Sequence, residues 1–304
     1  MIKTVSIIGM GALGLMYADQ LITGLDTNIE VNFVMDENRA ARHLNDIYTI
    51  NNEIKRFDIT TYEDAKPVDL IIVAVKFTDL PAAIDSMTNC VGPETIILSV
   101  MNGISSERII AERYGWNKMI YSVAQGMDAM RDGSTLRFTK TGNLHIGATD
   151  AEMQVRLSKV QELFEAANLP HIVEEDIMYR LWFKFMLNVG INQTCMVYDT
   201  DYGTSTTPTT DAYATCSGAM KEVVALAPFN NVKLTDEDVE KAMTILRTLD
   251  PKGYPSMAQD RKAGRKSEVD MFAGEVLRQS KLYNIPTPIN EDLYKRVMEI
   301  EKQY

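Results

Sequence analysis

The chain has 304 residues, 45% of them hydrophobic and 24% charged, a mix that excludes disordered, collagen-like and low-complexity classes. Acidic residues outnumber basic ones by 42 to 31, for a formal charge of −11. Broad binding to nucleic acid or an anionic membrane is therefore not expected, because phosphate surfaces need a positive field; a local basic pocket for a small anion stays open. The length suggests two domains.

Cys90, Cys195 and Cys216 are widely spaced, odd in number and free of any CxxC pattern. Neither a disulfide framework nor a zinc ribbon is expected, and small buried thiols are. Glycines interrupt the opening run MIKTVSIIGMGALG, which reads as a first strand and not as a signal peptide. No window of about 18 consecutive apolar residues offers a membrane span. A cytoplasmic location is the expectation.

In chain order, Thr4–Ile8 is a β-branched apolar run ending in glycine, as in a strand buried on both faces. Ala12–Leu25 has helical spacing, Glu30–Met35 reads as a second strand and Asn38–Asp46 as a short helix. Val68–Val75 is a strong strand, followed by a helix over Leu80–Met87 with its proline early. Thr95–Val100, Met119–Val123 and Asn143–Gly147 read as strands, with a helix over Ser105–Arg113. This alternation specifies βαβ units, a parallel doubly wound sheet of Rossmann type, and a ligand crevice at the carboxyl ends of its strands.

Beyond Gly147 no strand of comparable strength follows. Helical patterns cover Asp176–Val197, Ala212–Ala227, Thr235–Leu249, Val269–Tyr283 and Thr287–Lys302, with Asp199–Asp211 as a threonine-rich loop. Thr235 and Ser267 stand where N-cap hydroxyls would. The expected fold class is α/β, an N-terminal doubly wound domain over residues 1–172 followed by an all-α domain over 173–304.

The sharpest motif is Gly9-Met10-Gly11-Ala12-Leu13-Gly14, a G-x-G-x-x-G between a strand and a helix. Gly9 permits the tight turn, Gly11 lets a diphosphate approach the backbone, and Gly14 lets helix and strand pack closely. The helix N-terminus adds free N–H groups and the positive end of its dipole. Asp36, 22 residues past Gly14, stands where a carboxylate would hold the ribose hydroxyls of NAD. Arg39 reads either as a 2′-phosphate contact or as a solvated helix residue.

Polar residues close two of the expected strands. Lys76 is either an anion contact or the first solvated residue after its strand, and Asn102 ends another. In the helical half, Lys184, Asn188 and Asn192 fall at i, i+4 and i+8, one face of an otherwise apolar helix. Buried lysine and asparagine are costly without partners, so the stripe faces a wet crevice or forms a satisfied core network. A desolvated lysine there is a candidate general acid. Ser256 reads as an N-cap or a substrate donor. His43, His145 and His171 are scattered, and no metal-ligating motif occurs.

Taken in order, GMGALG, VAVK at Lys76, MNG at Asn102, RLWFKFMLNVGIN around Lys184 and YPSMAQD…EVD from Tyr254 to Asp270 resemble the ketopantoate reductase (2-dehydropantoate 2-reductase) family over almost the whole chain. The resemblance implies reduction of ketopantoate to pantoate with NADPH, on the route to coenzyme A. It makes Lys184 the acid that protonates the ketone oxygen. It assigns Asn102, Asn188, Asn192 and Ser256 to the substrate, and Lys76, Asn102, Ala129 and Glu268 to the nicotinamide half of the cofactor or its ribose. The chain departs from the family at Asp36, where a basic residue is usual and where NAD becomes an option, and near Tyr202, where an asparagine is usual. A small-molecule 2-keto acid, no nucleic acid, no membrane and a homodimer are the expected partnerships. A related 2- or 3-hydroxyacid dehydrogenase and a non-catalytic dinucleotide sensor remain alternatives.

Overall fold

A computed structural model describes residues 2–25 and 28–304. Eight strands form the main sheet: β1 (Thr4–Ile8), β2 (Glu30–Met35), β5 (Asp58–Thr61), β6 (Leu70–Val73), β7 (Ile96–Ser99), β8 (Met119–Met127), β11 (Thr141–Gly147) and β12 (His171–Val173). Their order is β12-β11-β8-β7-β6-β1-β2-β5. Neighbours from β5 to β8 pair in parallel; β11 runs antiparallel to β8. The chain leaves β1 for β2 on one side and returns to β6 on the other, so strand order reverses at β1, where such sheets open a crevice.

Right-handed crossovers then place α1 (Ala12–Leu25) on one face and α3 (Leu80–Ser86) and α4 (Ser106–Tyr114) on the other. With both faces covered, Ile7, Ile71, Ile72, Val73, Ile97 and Leu98 are all fully buried, which is why these strands read as unbroken apolar runs. Each such side chain contributes about 1.5–3 kcal/mol.

Several elements differ from expectation. The short helix is α2, Glu37–His43, and it starts early because Asp36 caps it, accepting from the Arg39 N–H at 2.9 Å. Helix α5 (Ala151–Ala166), capped by Asp150, packs beside α1. A second sheet has the order β4-β3-β10-β9, from β3 (Tyr48–Ile50), β4 (Glu53–Lys55), β9 (Met130–Asp132) and β10 (Thr135–Arg137). Strands this short fall below the length at which alternation can be read from sequence.

The chain divides into two units, one of Met1–Asn102 with Ser106–Ile177, the other of Gly103–Ser105 with Met178–Tyr304. The second is helical: α6 (Ile177–Tyr198), α7 (Tyr202–Thr206), α8 (Asp211–Leu226), α9 (Asp236–Arg247), α10 (Ser256–Lys262), α11 (Ala273–Tyr283) and α12 (Pro288–Glu301). Its core gathers Met186, Val189 and Met196 of α6 with Met220, Val239, Val276 and Leu293. Polar clamps fix the outer helices. Glu222 accepts from the Ile289 and Asn290 N–H groups at the start of α12, and Gln193 of α6 accepts from the Ala273 N–H that opens α11.

Thr235 heads α9, and the Asp238 carboxylate accepts its N–H at 2.9 Å, a capping box. Ser267 does not cap a helix; its N–H and hydroxyl both donate to Glu301. The stretch after it is a 3-10 turn, Val269–Met271, set off from α11 by Phe272. The threonine-rich loop contains α7, because Asp201 caps it by accepting from the Thr204 N–H.

Candidate active site

In the first unit the glycine turn joins β1 to α1. Gly9 adopts φ +109°, and a Cβ there would stand 2.6 Å from the Ala74 carbonyl oxygen. At Gly14 a Cβ would stand 2.0 Å from the Gly9 oxygen. The fold itself demands glycine at both. Gly11 differs: a Cβ there would meet only the Ala74 oxygen, at 3.7 Å, an ordinary contact in otherwise open space. Nothing in the protein requires its bareness; close approach of a ligand phosphate to the backbone does. The residues present therefore fit a dinucleotide. Ala12 and Leu13 open α1, and their N–H groups are among the donors a helix start leaves unmatched.

Beside the turn lies a cavity of about 390 Å³ lined by Gly9, Met10, Asp36, Arg39, Tyr62, Val75 and Asp79, among others. Asp36 and Arg39 thus share one wall at the end of β2. One Asp36 oxygen is tied to the Arg39 amide at 2.9 Å, which fixes the carboxylate in place. Lys76 is exposed in extended backbone, three residues past β6, and is not part of that wall. Asn102 follows β7 and is partly buried. Ala129 lies in the two-residue connection between β8 and β9.

In the second unit Lys184, Asn188 and Asn192 share a face of α6, as their spacing requires. Asn192 is buried; its Nδ2 donates to Asn188 Oδ1 at 3.4 Å, and its Oδ1 accepts from the Ser256 hydroxyl at 2.9 Å and the Met257 N–H at 3.3 Å. The stripe is thereby tied to the start of α10. Pro255 occupies the N-cap position, so Ser256 is the first residue of α10 and not its cap. Lys184 is partly buried; burial pushes its ammonium pKa down to about 8, with the Glu268 charge opposing and the Arg180 charge assisting. Glu268 is itself partly buried, one residue before the 3-10 turn. A lysine so placed is still largely protonated at neutral pH, yet gives up its proton more readily than one in water.

Sequence reading missed Tyr62, which lines the cavity, and the pair Tyr48 and Arg131, which meets the glycine turn at Met10. A signal for the hairpin that carries Arg131 was present: Gly133-Ser134 is a glycine-first two-residue hairpin loop, and Gly133 adopts φ +55°. Tyr62 had none. Cys90, Cys195 and Cys216 are buried free thiols. Among the described residues, no helix is long and apolar enough to cross a membrane.

The fold and the glycine turn define a dinucleotide-binding α/β protein with a helical second unit. The family model for ketopantoate reductase PanE/ApbA matches residues 5–151, and the model for the C-terminal part of the same proteins matches residues 176–301. The chain belongs to the ketopantoate reductase family. It is 26% identical over 294 residues to 2-dehydropantoate 2-reductase of Pyrococcus horikoshii, and 23% identical over 287 residues to that of Streptococcus pyogenes serotype M1; each alignment covers 93% of both chains. Among solved structures, D-mandelate dehydrogenase in complex with NADH has a TM-score of 0.86 at 21% identity, with 99% of each chain covered. The dimeric ketopantoate reductase of Staphylococcus aureus has a TM-score of 0.81 at 20% identity, also with 99% of each chain covered. These structural likenesses establish the fold.

Proposed function

We propose that this chain is an NAD(P)H-dependent 2-keto acid reductase acting on 2-dehydropantoate (ketopantoate) to give pantoate, the step that supplies pantoate for pantothenate and coenzyme A. The carrying observation is Lys184: a partly buried ammonium brought to about 8, on a helix face shared with Asn188 and Asn192. Family membership supplies the substrate class. Residues 1–172 serve as the dinucleotide-binding domain and residues 173–304 as the substrate and catalytic domain in this reading.

Gly9 to Gly14 bind the cofactor diphosphate through bare backbone and the α1 N-terminus. Lys76, Asn102, Ala129 and Glu268 meet the nicotinamide half or its ribose. The reduced nicotinamide supplies a hydride to the keto carbon. Lys184 Nζ donates its proton to the ketone oxygen as negative charge grows there, which combines charge stabilisation with acid catalysis. Ser256, Asn188 and Asn102 hold the substrate's carboxylate and hydroxyl, and that fixed orientation is worth a large part of the barrier. Asn192 spends its oxygen and one N–H on the protein, so its part is to orient Ser256 and Asn188 with one N–H left for substrate.

NADPH is the cofactor implied by the family, with Arg39 on its 2′-phosphate. Asp36 favours a second reading, NADH as the cofactor, because its fixed carboxylate shares the cavity wall with Arg39 and repels a further anion. A homodimer belongs to the same proposal, by likeness to the dimeric Staphylococcus aureus relative. Purified protein assayed with ketopantoate and a panel of 2-keto acids, with each cofactor, decides by loss of the reduced-nicotinamide absorbance. Turnover of ketopantoate is the expected result. Turnover with NADH alone would select the second reading, and turnover of another acid alone would replace ketopantoate as the substrate. Nucleotide binding without turnover of any acid would leave a sensor, for which Lys184 has no use.

A further inference from the structure

Arg131 sits on β9, far from the glycine turn in sequence and against it in space. Its Nη1 donates to the carbonyl of Met10, the residue between Gly9 and Gly11, and its Nε donates to the Gly133 carbonyl at 2.8 Å. The guanidinium lies 5.7 Å from the centre of the Tyr48 ring. Tyr48 is itself anchored: it is buried, and its hydroxyl donates to Asp46 at 3.2 Å and touches Met10 Sδ at 3.3 Å. Residues from β3 and β9 thus converge on one residue of the turn, Arg131 on the carbonyl of Met10 and Tyr48 on its sulfur.

These contacts hold the guanidinium in place without exhausting it. Of its five N–H donors, the two carbonyls take two, which leaves three. Neither carbonyl nor the aromatic face is a carboxylate; Asp46, bonded to the Tyr48 hydroxyl, feels the guanidinium's charge but forms no ion pair with it, so the charge is offset in part and not cancelled at contact. The first turn of α1 carries no charged side chain; the helix dipole alone offers only about half a charge to an anion. A second cation near the turn, Arg39, lies beside Asp36 at the end of β2, where the adenosine ribose is expected.

We propose that Arg131 is a cofactor-binding residue: held by the Met10 carbonyl and the Tyr48 face, it turns its remaining N–H donors to the dinucleotide's diphosphate and supplies the cation that the glycine turn lacks. This rests on the dinucleotide-binding reading above. Arg suits the role better than Lys where a planar fork is braced on one side and presented on the other. The second, four-stranded sheet then has a function: it carries the charge that β1 and α1 do not.

The test titrates three ligands into the whole chain and into Arg131→Met and Arg131→Lys: NADH, NADPH and ADP-ribose, which keeps the diphosphate but has neither nicotinamide nor 2′-phosphate. R131M should weaken all three by about tenfold to a hundredfold, the scale of a charge-assisted hydrogen bond, and R131K, which keeps the charge but not the fork, should recover part of the loss. A loss confined to NADPH would put Arg131 on the 2′-phosphate and overturn the proposal. Unchanged affinities in R131M would overturn it. An equal loss in both variants would also overturn it, since the guanidinium would then be a prop for the turn and not a charge for the ligand. If the wild-type chain binds none of the three ligands, the dinucleotide reading itself fails, a result distinct from wild-type binding that R131M leaves intact.

Discussion

The glycine turn of the first unit and the lysine face of the second are built from different material. The turn is a backbone device: its central feature is the absence of side chains at Gly9, Gly11 and Gly14, and its donors are peptide N–H groups. The α6 face is a side-chain device. There, the position of Ser256 depends on Asn192, and the state of Lys184 depends on burial and on Glu268. A backbone site tolerates almost any side chain that keeps clear of it. A side-chain site fails when one group changes. The two should therefore break differently.

The largest effect falls on the second device. Lys184→Ala is expected to lower kcat by about 10²–10⁴-fold, the usual scale for a positioned acid, while ADP-ribose affinity stays at the wild-type value. Normal turnover of ketopantoate by that variant would remove Lys184 from the chemistry. The same group sets a pH limit. With its ammonium at about 8, reduction should fall roughly tenfold per pH unit above that value, as the acid loses its proton.

The first device should separate into two kinds of glycine. Gly14→Ala forces a Cβ onto the Gly9 oxygen at 2.0 Å and is expected to cost several kcal/mol of stability, a strain of the size seen in overpacked sites (~1–3 kcal/mol or more). Gly11→Ala meets only an ordinary contact, so its melting temperature should stay near wild type while dinucleotide affinity falls by tenfold or more. Equal melting losses in the two variants, read by calorimetry, would break the distinction.

A further prediction lies within the first unit. Glu107 is buried at the start of α4, accepting from Ser106, which bonds Ser99; burial pushes its carboxyl up to about 7. An unfolded glutamate loses its proton near 4.3. Between these values the folded protein binds more protons than the unfolded one, so stability falls as pH rises through the window, by about 4 kcal/mol in all. Glu107→Gln should abolish that part of the slope. Denaturant titrations of both proteins on either side of the window, with parallel slopes as the contrary outcome, settle it.

The smallest expected effect concerns cofactor choice. Asp36→Ala removes the carboxylate from the wall it shares with Arg39 and should shift preference toward NADPH by about tenfold, an interaction of ~1.4 kcal/mol. An unchanged NADPH/NADH ratio would show that the carboxylate does not discriminate.

Legibility differed between the two devices for the same reason. Thr4–Ile8, Ala12–Leu25 and Glu30–Met35 stand in the structure with the bounds their patterns suggest, because a strand buried on both faces and the helix after it leave unmistakable periodicity. Lys184, Asn188 and Asn192 were legible as one face because helical spacing alone puts them there. Ser256 was ambiguous between cap and donor, and its bond to Asn192 spans the gap between two helices, where periodicity carries no information. Tyr48 and Arg131 were not legible as site residues, although the turn beside Arg131 was. Each sits on a three-residue strand, too short to show a pattern.

The order of apolar runs and glycines thus determined, without any fold in view, that a parallel sheet would close over a bare turn and that a helical second half would carry a lysine face. Periodicity and steric freedom are local properties, so local sequence expresses them. Only the tertiary structure decided which groups meet: Asn192 with Ser256, and Arg131 with the carbonyl of Met10. Such meetings depend on how separate elements pack, and the burial that tunes Lys184 and Glu107 exists only once they have packed.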